Sequence, residues 1–565
     1  MGSGPLGSYS VSTVEEPDGD TMTIKPNLRR RWPLLLTALL GPAHAVELNS
    51  GVEGLKLRWD NTLKYSAAWR LREPSNAVLA YQGVPAVNND DGDRNFGRGL
   101  ISNRLDLLSE FDAVYRGFGA RVSGAAWADS AYLGRNDHDS PDTVNHTSAP
   151  YNAFTDDVKH LLGRRAELLD AFVFGRAELG SARATFRFGR HALQWGETLF
   201  FGYNGIAAAQ APIDVVKARA VPNSQFKEFM RPTNQLSGQL QLTPDLAIGA
   251  YYKLAWERDR LPPSGSYFSF GDILDVGAER IFTPGGPAQR GADVKPGRSG
   301  HYGLQARWRV DDTDLGVYAV RYHATGPHVV VDAIGATETL AFHKGIRAYG
   351  ISASRTLGEF NLAAEASVRR NVDLNSGVNV YKLVAFGPPV PQLGAAPDND
   401  GNPLYPVGNT AHLNVSVFAP GLSENFLAKT TDLLFEVAWN RVTGVTRNAN
   451  ELDPGSKRDG LAARVVFEPH YNQALPGLDL SVPLGLGWQF LGKGQALAQM
   501  QGQQIGDLSI GLNASYLEDW KLSLAYTRFL GRAAPVADPA APNAFTYGQP
   551  LADRDFVSLS FRRTF

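Results

Sequence analysis

The stretch that decides the fold is residues 55–72, LKLRWDNTLKYSAAWRLR. Leu55, Leu57, Trp59, Leu63, Tyr65, Ala67, Trp69 and Leu71 occupy its odd positions, and Lys56, Arg58, Asp60, Thr62, Lys64, Ser66, Arg70 and Arg72 its even ones. Successive side chains of a strand point to opposite faces, so this alternation describes a strand with one apolar and one polar face. Length carries the second half of the argument. Strands of soluble sandwiches run about five or six residues, whereas a tilted strand that crosses a bilayer needs roughly ten.

Outward from this stretch the pattern recurs in hairpins. Residues 101–116 turn at Gly117 into 118–133, 164–179 turn at Gly180 into 182–192, and 235–242 turn at Pro244-Asp245 into 246–256. Residues 302–310 turn at Asp311-Asp312 into 315–322, and 346–356 turn at Gly358 into 360–370. Further runs lie at 413–418, 432–440, 461–467, 478–488, 508–517, 520–530 and 556–565. Long polar, Gly/Pro-rich loops at 73–99, 134–163, 193–234, 259–300, 323–345 and 371–409 alternate with the tight turns. Short turns on one side and long loops on the other is the anatomy of an outer-membrane barrel. The expectation is an all-β fold: a transmembrane antiparallel up-and-down β-barrel of about eighteen strands, or sixteen if the weak runs at 413 and 478 are not strands. The last strand, FVSLSFRRTF, ends on Phe565, and a terminal aromatic on an alternating strand resembles the membrane insertion signal of such barrels.

Composition agrees with export. The chain has 565 residues and no cysteine, which suits an oxidising compartment. Its formal charge of -2 argues against nucleic acid as a partner. Arg29, Arg30 and Arg31, the apolar run from Trp32 to Leu40 and the Ala43-His44-Ala45 sequence form the n-region, h-region and cleavage site of a signal peptide. Residues 1–21 then read as a leader or over-extended start, 22–45 as the signal peptide, and 46–565 as a single outer-membrane barrel domain.

Within the barrel, apolar faces are expected to meet lipid and polar faces the lumen. Lys56, Arg58, Lys64, Arg104, Asp106, Glu110, Asp112, Arg121, Arg183 and Arg187 then line the lumen, as paired wall ladders or as ligand contacts. One loop stands apart. Residues 195–231 run without alternation yet contain Trp195, Phe200, Phe201, Tyr203, Ile206 and the Ala207–Ala209 run, too apolar for a disordered segment. They are expected either to cap the barrel or to fold inward as a plug or constriction. Pro262-Pro263 precede Tyr267, Phe268 and Phe270, which could form an apolar mouth with Trp195 and Phe201 or belong to an aromatic girdle. The candidate substrate path is therefore Trp195, Glu197, Phe200, Phe201, Tyr203, Asp214, Arg231, Tyr267, Phe268 and Phe270.

Asn89, Asp91, Asp93 and Asn95 alternate around Gly92, and Asp398, Asp400 and Asn402 around Gly401. Oxygen ligands at every second position suit Ca2+, the one cofactor candidate, although neither stretch has a distal bidentate Glu and Asx-rich turns occur without metal. His138, His146, His160 and His191 supply bases for a barrel-rim hydrolase, but no G-x-S-x-G or H-E-x-x-H motif accompanies them, so the expectation is no enzyme and no catalytic residue.

Five stretches carry a family resemblance: DDGDRNFGRGLISNRLDLLSEFD (90–112), GRHALQWGETLFF (189–201), residues 214–219, YYKLAWERDRLPPSGSYFSFGD (251–272) and DRDFVSLSFRRTF (553–565). They resemble the proteobacterial outer-membrane family of domain of unknown function 1302, which is distantly similar to the long-chain fatty-acid porins. The resemblance implies a bacterial outer-membrane location and a role with steroids, hydrocarbons, esters or fatty acids. It implies uptake of a hydrophobic or amphipathic small molecule or, alternatively, the outer-membrane part of a lipid export system with a transporter of the resistance-nodulation-division (RND) type. Expected partners are outer-membrane lipid and lipopolysaccharide, the barrel assembly machinery, a hydrophobic small molecule and, in the export reading, a periplasmic lipid carrier or RND-type transporter. Fatty-acid porins carry an N-terminal hatch; here only about nine residues separate the cleavage site from the first strand, so gating is expected to fall to an internal segment.

Overall fold

The computed structural model describes residues 46–48, 50–221, 223, 225–381, 397–424 and 427–565. The expected leader at 1–21 and the expected signal peptide at 22–45 lie outside the described residues.

Eighteen antiparallel strands form one closed ring among the described residues. Strands β1 (Leu55–Arg70), β2 (Gly99–Tyr115), β3 (Phe118–Asp129), β4 (Arg164–Leu179), β5 (Ala182–His191) and β6 (Thr233–Gln241) follow each other as neighbours. The ring continues through β7 (Leu246–Lys253), β8 (Tyr302–Val310), β9 (Thr313–Tyr322), β10 (Ile346–Leu357), β11 (Phe360–Asp373) and β12 (Val407–Leu422). Next come β13 (Thr430–Arg447), β14 (Asp459–Leu475), β15 in two pieces (Leu478–Ser481 and Leu484–Leu491), β16 (Gly506–Tyr516), β17 (Trp520–Leu530) and β18 (Phe556–Thr564). Strand β18 pairs back onto β1 from Thr62↔Thr564 to Arg70↔Phe556, which removes every open edge from the wall. At this seam the Asn61 N–H donates to the Phe565 carbonyl at 2.7 Å and the Phe565 N–H to the Asn61 carbonyl at 2.8 Å. A short strand, Val46–Leu48, pairs with β1 at Trp59, Arg58 and Leu57.

The turns follow from their residues. Between β2 and β3, Arg116 and Gly117 both have positive φ, 48° and 88°, the backbone twist that a two-residue hairpin turn requires. The gap inside β15 falls at Val482-Pro483, where proline has no N–H for the ladder; the carbonyl of Pro483 still accepts from Gly511 at 2.9 Å.

Alternation separates lipid from lumen. Trp59, Val317 and Ile351 are 45%, 57% and 61% exposed on the outer face, a degree of apolar exposure that water would penalise and a hydrocarbon layer accepts. The fold and its apolar band place the protein in the bacterial outer membrane. The runs at 413 and 478 are both strands, so the count is eighteen rather than sixteen. The long loops build a cap of their own: Arg280–Thr283, Gly286–Arg290, His328–Asp332, Thr337–Ala341 and Asn379–Tyr381 form a five-stranded sheet around buried Ile281, Leu340 and Phe342.

Candidate functional site

Many lumen-facing charges satisfy one another along the wall. Arg104 pairs with Asp106 and Arg121 with Asp112, each at 2.6 Å; Arg58 pairs with Asp60 at 2.7 Å and Arg183 with Glu178 at 2.9 Å. Arg187 lies over the Phe172 ring, 5.8 Å from its centre. The site is built where the wall instead bonds to residues 195–231.

That segment leaves the end of β5 and packs inward. Trp195 meets Tyr251 of β7 and Tyr318 of β9, with ring centres 4.9 and 6.4 Å apart, in a cluster shared with Ile206. Two buried glutamates then hold the backbone. Glu365 of β11 accepts the N–H groups of Glu197 (2.9 Å) and Ile206 (2.6 Å). Glu436 of β13 accepts those of Leu199 (3.2 Å), Phe200 (2.5 Å) and Phe201 (2.9 Å) on a single oxygen, while its other oxygen accepts Asn414 Nδ2 at 2.8 Å. Arg369 of β11 donates to the carbonyls of Tyr203 and Gly205, both at 2.8 Å.

Asn204 is fully buried and fully used. Its amide nitrogen donates to Asn414 Oδ1 at 2.9 Å and to the carbonyls of Leu413 and Trp439 at 3.1 and 3.0 Å, and its oxygen accepts Asn440 Nδ2 at 3.1 Å. Further along, Asn223 accepts from Arg464 of β14 (3.2 Å) and Ser509 of β16 (3.0 Å). Strand β14 lies nine positions from β5 in a ring of eighteen, on the opposite side, so the segment crosses the barrel.

The rest of the segment makes a core from its own apolar residues: Ala207, Ala211, Ile213, Phe226, Phe229 and Met230 are buried together with Tyr203 against them. Asp214 caps the short helix Val215–Ala220 by accepting the Lys217 N–H at 3.0 Å. It also receives Arg260 at 2.7 Å, and Arg260 bonds Glu167 of β4 as well. Asp259 accepts the Ile213 N–H at 2.8 Å and the Tyr203 hydroxyl at 3.2 Å, and burial raises its carboxyl to about 6. Arg231 donates to the Arg258 carbonyl at 2.9 Å and lies 3.5 Å from Glu257.

The ten path candidates therefore fall into two groups. Trp195, Glu197, Phe200, Phe201, Tyr203, Asp214 and Arg231 all belong to the crossing segment: Phe200 lies under Arg464 (5.7 Å) and Phe201 packs against Ala438, Ala462 and Met500. Tyr267 is 1% exposed inside a separate cluster with Phe96, Tyr132, Phe154 and Phe556, and Phe268 packs against it. The expected grouping of Trp195 with Tyr267 and Phe268 is absent, because Trp195 joins the wall tyrosines instead. The two groups meet through Arg219, which donates to the Phe268 carbonyl at 3.4 Å and lies over the Phe270 ring at 4.5 Å.

Asn89, Asp91, Asp93 and Asn95 do not converge. They sit on one helical turn, Asp91–Arg94 and its flanks, and point to different partners. Asn89 donates to the Phe270 carbonyl, Asp91 meets His138, Asp93 pairs with Arg70 at 2.7 Å and Arg554 at 3.3 Å, and Asn95 donates to the Gly265 carbonyl. Residues that alternate on a strand share a face; on a helical turn they fan out, and the turn is what formed. The residues that sequence reasoning missed are Glu365, Glu436, Asn414 and Asn204. Each wall residue sits on a lumen-facing position of a strand, but nothing local marks it as a partner of a loop about 160 to 240 residues away.

None of the curated proteins compared with this chain matches it. Among solved structures the chain is similar to OccAB4 of Acinetobacter baumannii, with 11% identity, 93% of this chain and 100% of that chain covered, and a TM-score of 0.41. It is also similar to OccAB1 of Acinetobacter baumannii (9% identity, 93% and 98% covered, TM-score 0.40). A third is OccK9 (OpdG) of Pseudomonas aeruginosa (10% identity, 90% and 98% covered, TM-score 0.38). Over residues 32–565 it matches a family described as protein of unknown function. An outer-membrane β-barrel, the chain belongs to this family, DUF1302.

Proposed function

We propose that this barrel is a channel for uptake of hydrophobic or amphipathic small molecules of the fatty acid, steroid, hydrocarbon or ester class, and that residues 195–231 are its constriction. The observation that carries the reading is the crossing segment, held to the wall by Glu365 and Glu436 through five backbone N–H groups. A loop that only covered the barrel would have no need of buried carboxylates on the far wall. Around it stand Phe200, Phe268 and Phe270 with Arg219 and Arg464, a pairing of aromatic surface and cation that suits an apolar body with a polar head. Lipopolysaccharide makes the outer leaflet a poor route for apolar solutes, which gives such a conduit a physical purpose.

The export reading has less to stand on: the turns at Arg116-Gly117 and Asp311-Asp312 are two residues long and offer little surface for docking a transporter. Proteoliposomes test the proposal. Fluorescent fatty acid or sterol should enter vesicles carrying the protein faster than protein-free vesicles, with small sugars excluded. Sugars that enter as readily as the lipids refute it and leave a general pore.

A further inference from the structure

Three loops converge on a group of buried acids in the cap. Asp90, Asp91 and Asp272 are 1%, 2% and 0% exposed, and one carboxylate oxygen from each lies within 4.8 Å of the other two. Oxygens bound to one Ca2+ at 2.3–2.6 Å are at most about 4.6–5.2 Å apart, so the three fit a single coordination sphere.

The charges around them do not balance. Arg94 donates to Asp90 at 2.6 Å and is shared with Asp139 at 2.7 Å. His138 Nε2 lies 3.0 Å from Asp91 Oδ1, but the Ser140 N–H donates to its Nδ1 at 3.2 Å. The imidazole is thereby fixed as the neutral Nε2–H tautomer and supplies no charge. Arg280 is committed to the Val144 carbonyl and the Phe282 ring, and Arg554 to Asp93 and the Tyr267 carbonyl. Three buried carboxylates thus share one guanidinium, and buried charge of that kind persists only when paired or bound to metal.

Three buried oxygens here stand without a partner: Asp90 Oδ1, Asp272 Oδ1 and Asn145 Oδ1. Asp272 Oδ2 accepts the Asp91 N–H at 2.9 Å, but its Oδ1 accepts nothing. Asn145, whose N–H donates to Asp91 Oδ2 at 2.9 Å, also has an oxygen, Oδ1, with no donor. Burial, and then the neighbouring carboxylates, push Asp91 and Asp272 well above the usual carboxylate range, as bare anions in this setting must be.

We propose that Asp90, Asp91 and Asp272 bind one hard divalent cation, calcium above all, which ties the loop after β1 to the loop after β7, with the loop after β3 held to them by His138 and Asn145 on Asp91. The donors are all oxygens, which selects calcium over softer transition metals. Only Asp91 is shared with the set that alternation in the sequence suggests, because Asp272 arrives from a distant loop. The inference is independent of what the channel carries.

Equilibrium dialysis of the purified full-length protein in detergent, stripped with a chelator and then exposed to radioactive calcium, tests it. The expected result is one calcium bound per chain, an affinity about tenfold or more weaker in Asp272→Asn and in Asp91→Asn, and no change in Asp398→Asn from the other acidic loop. Heat-dependent gel mobility identifies folded barrels, and only these are compared. Calcium should also slow proteolysis of the 130–163 and 254–301 loops in the wild type but not in Asp272→Asn. Wild-type protein that binds no calcium up to millimolar free ion overturns the proposal, as does undiminished binding by either Asp91→Asn or Asp272→Asn; the carboxylates then share protons instead.

Discussion

Replacing Glu436 with alanine probes the crossing segment directly. One Glu436 oxygen accepts three consecutive backbone N–H groups, at 3.2, 2.5 and 2.9 Å, inside a residue with no exposed surface. Hydrogen bonds to a charged group contribute roughly 1.5–3 kcal/mol each, so the two short ones alone give about 3–6 kcal/mol gross. Removing the carboxylate also relieves the cost of keeping a charge buried, which reduces the net loss to about 2–4 kcal/mol. At 1.36 kcal/mol per decade, the ratio of docked to released segment should fall by roughly 30-fold to 1,000-fold. Single-channel recording in planar bilayers reads this as larger or flickering conductance. Trypsin gives a second reading, because Lys217, Arg219 and Lys227 lie in the segment and become cleavable when it is released. Glu436→Gln should fall between, since each bond to a neutral oxygen contributes only about 0.5–1.5 kcal/mol. Conductance and tryptic cleavage of Glu436→Ala equal to wild type would show that this contact does not hold the segment in place.

Gly196→Ala should reproduce the effect from the other side: Gly196 has φ of 88°, and an added Cβ would collide with Glu365 Oε2, displacing the carboxylate that holds Glu197 and Ile206. It is expected to cost about 1 kcal/mol or more in backbone strain and to raise conductance; unchanged currents would count against it. Asp259 gives a pH dependence. Its carboxyl is raised by burial from 3.8 to about 6, so the folded protein holds a proton in that window that the unfolded chain lacks. The stability it contributes is fully present below about pH 4 and is lost as pH rises through 6. The unfolding free energy of the wild type should therefore fall relative to that of Asp259→Asn from pH 4 to pH 7, and a pH-independent difference contradicts the assignment.

The wall was legible because a barrel strand imposes one rule, alternation, over ten or more residues. It was weakest where other forces intrude. Strand β12 carries register shifts at Val407/Gly408, Asn409/Thr410 and Ala419/Leu422, so only its middle, from Thr410 to Ser416, alternates cleanly, and β15 is broken by Pro483 and carries Gly485 and Gly487 where side chains would mark a face. The site was legible as an anomaly only. Residues 195–231 stood out as too long and too apolar, but their partners are single lumen-facing residues on strands far along the chain, and Glu436 looks no different in the sequence from unpaired wall charges such as Glu110. The acidic turn shows the opposite failure. Alternation around Gly92 suggested a common ligand face, yet the turn is helical and its acids separate, with Asp93 drawn into the pair with Arg70 and Arg554.

The two halves of the site explain each other. Glu365 and Glu436 are 2% and 0% exposed although they face the inside of a barrel wide enough to hold water. They are dry because the segment lies on them, and the segment can lie there because its backbone N–H groups, unpaired in any helix or sheet, need acceptors once removed from water. Its apolar side chains have a matching reason, since Ala207, Ile213, Phe226 and Phe229 bury each other and leave the backbone free to face the wall. Polar backbone outward to the carboxylates and apolar side chains inward to their own core is the reverse of a membrane strand's arrangement. That reversal is why the alternation stops at Trp195 and resumes only at β6.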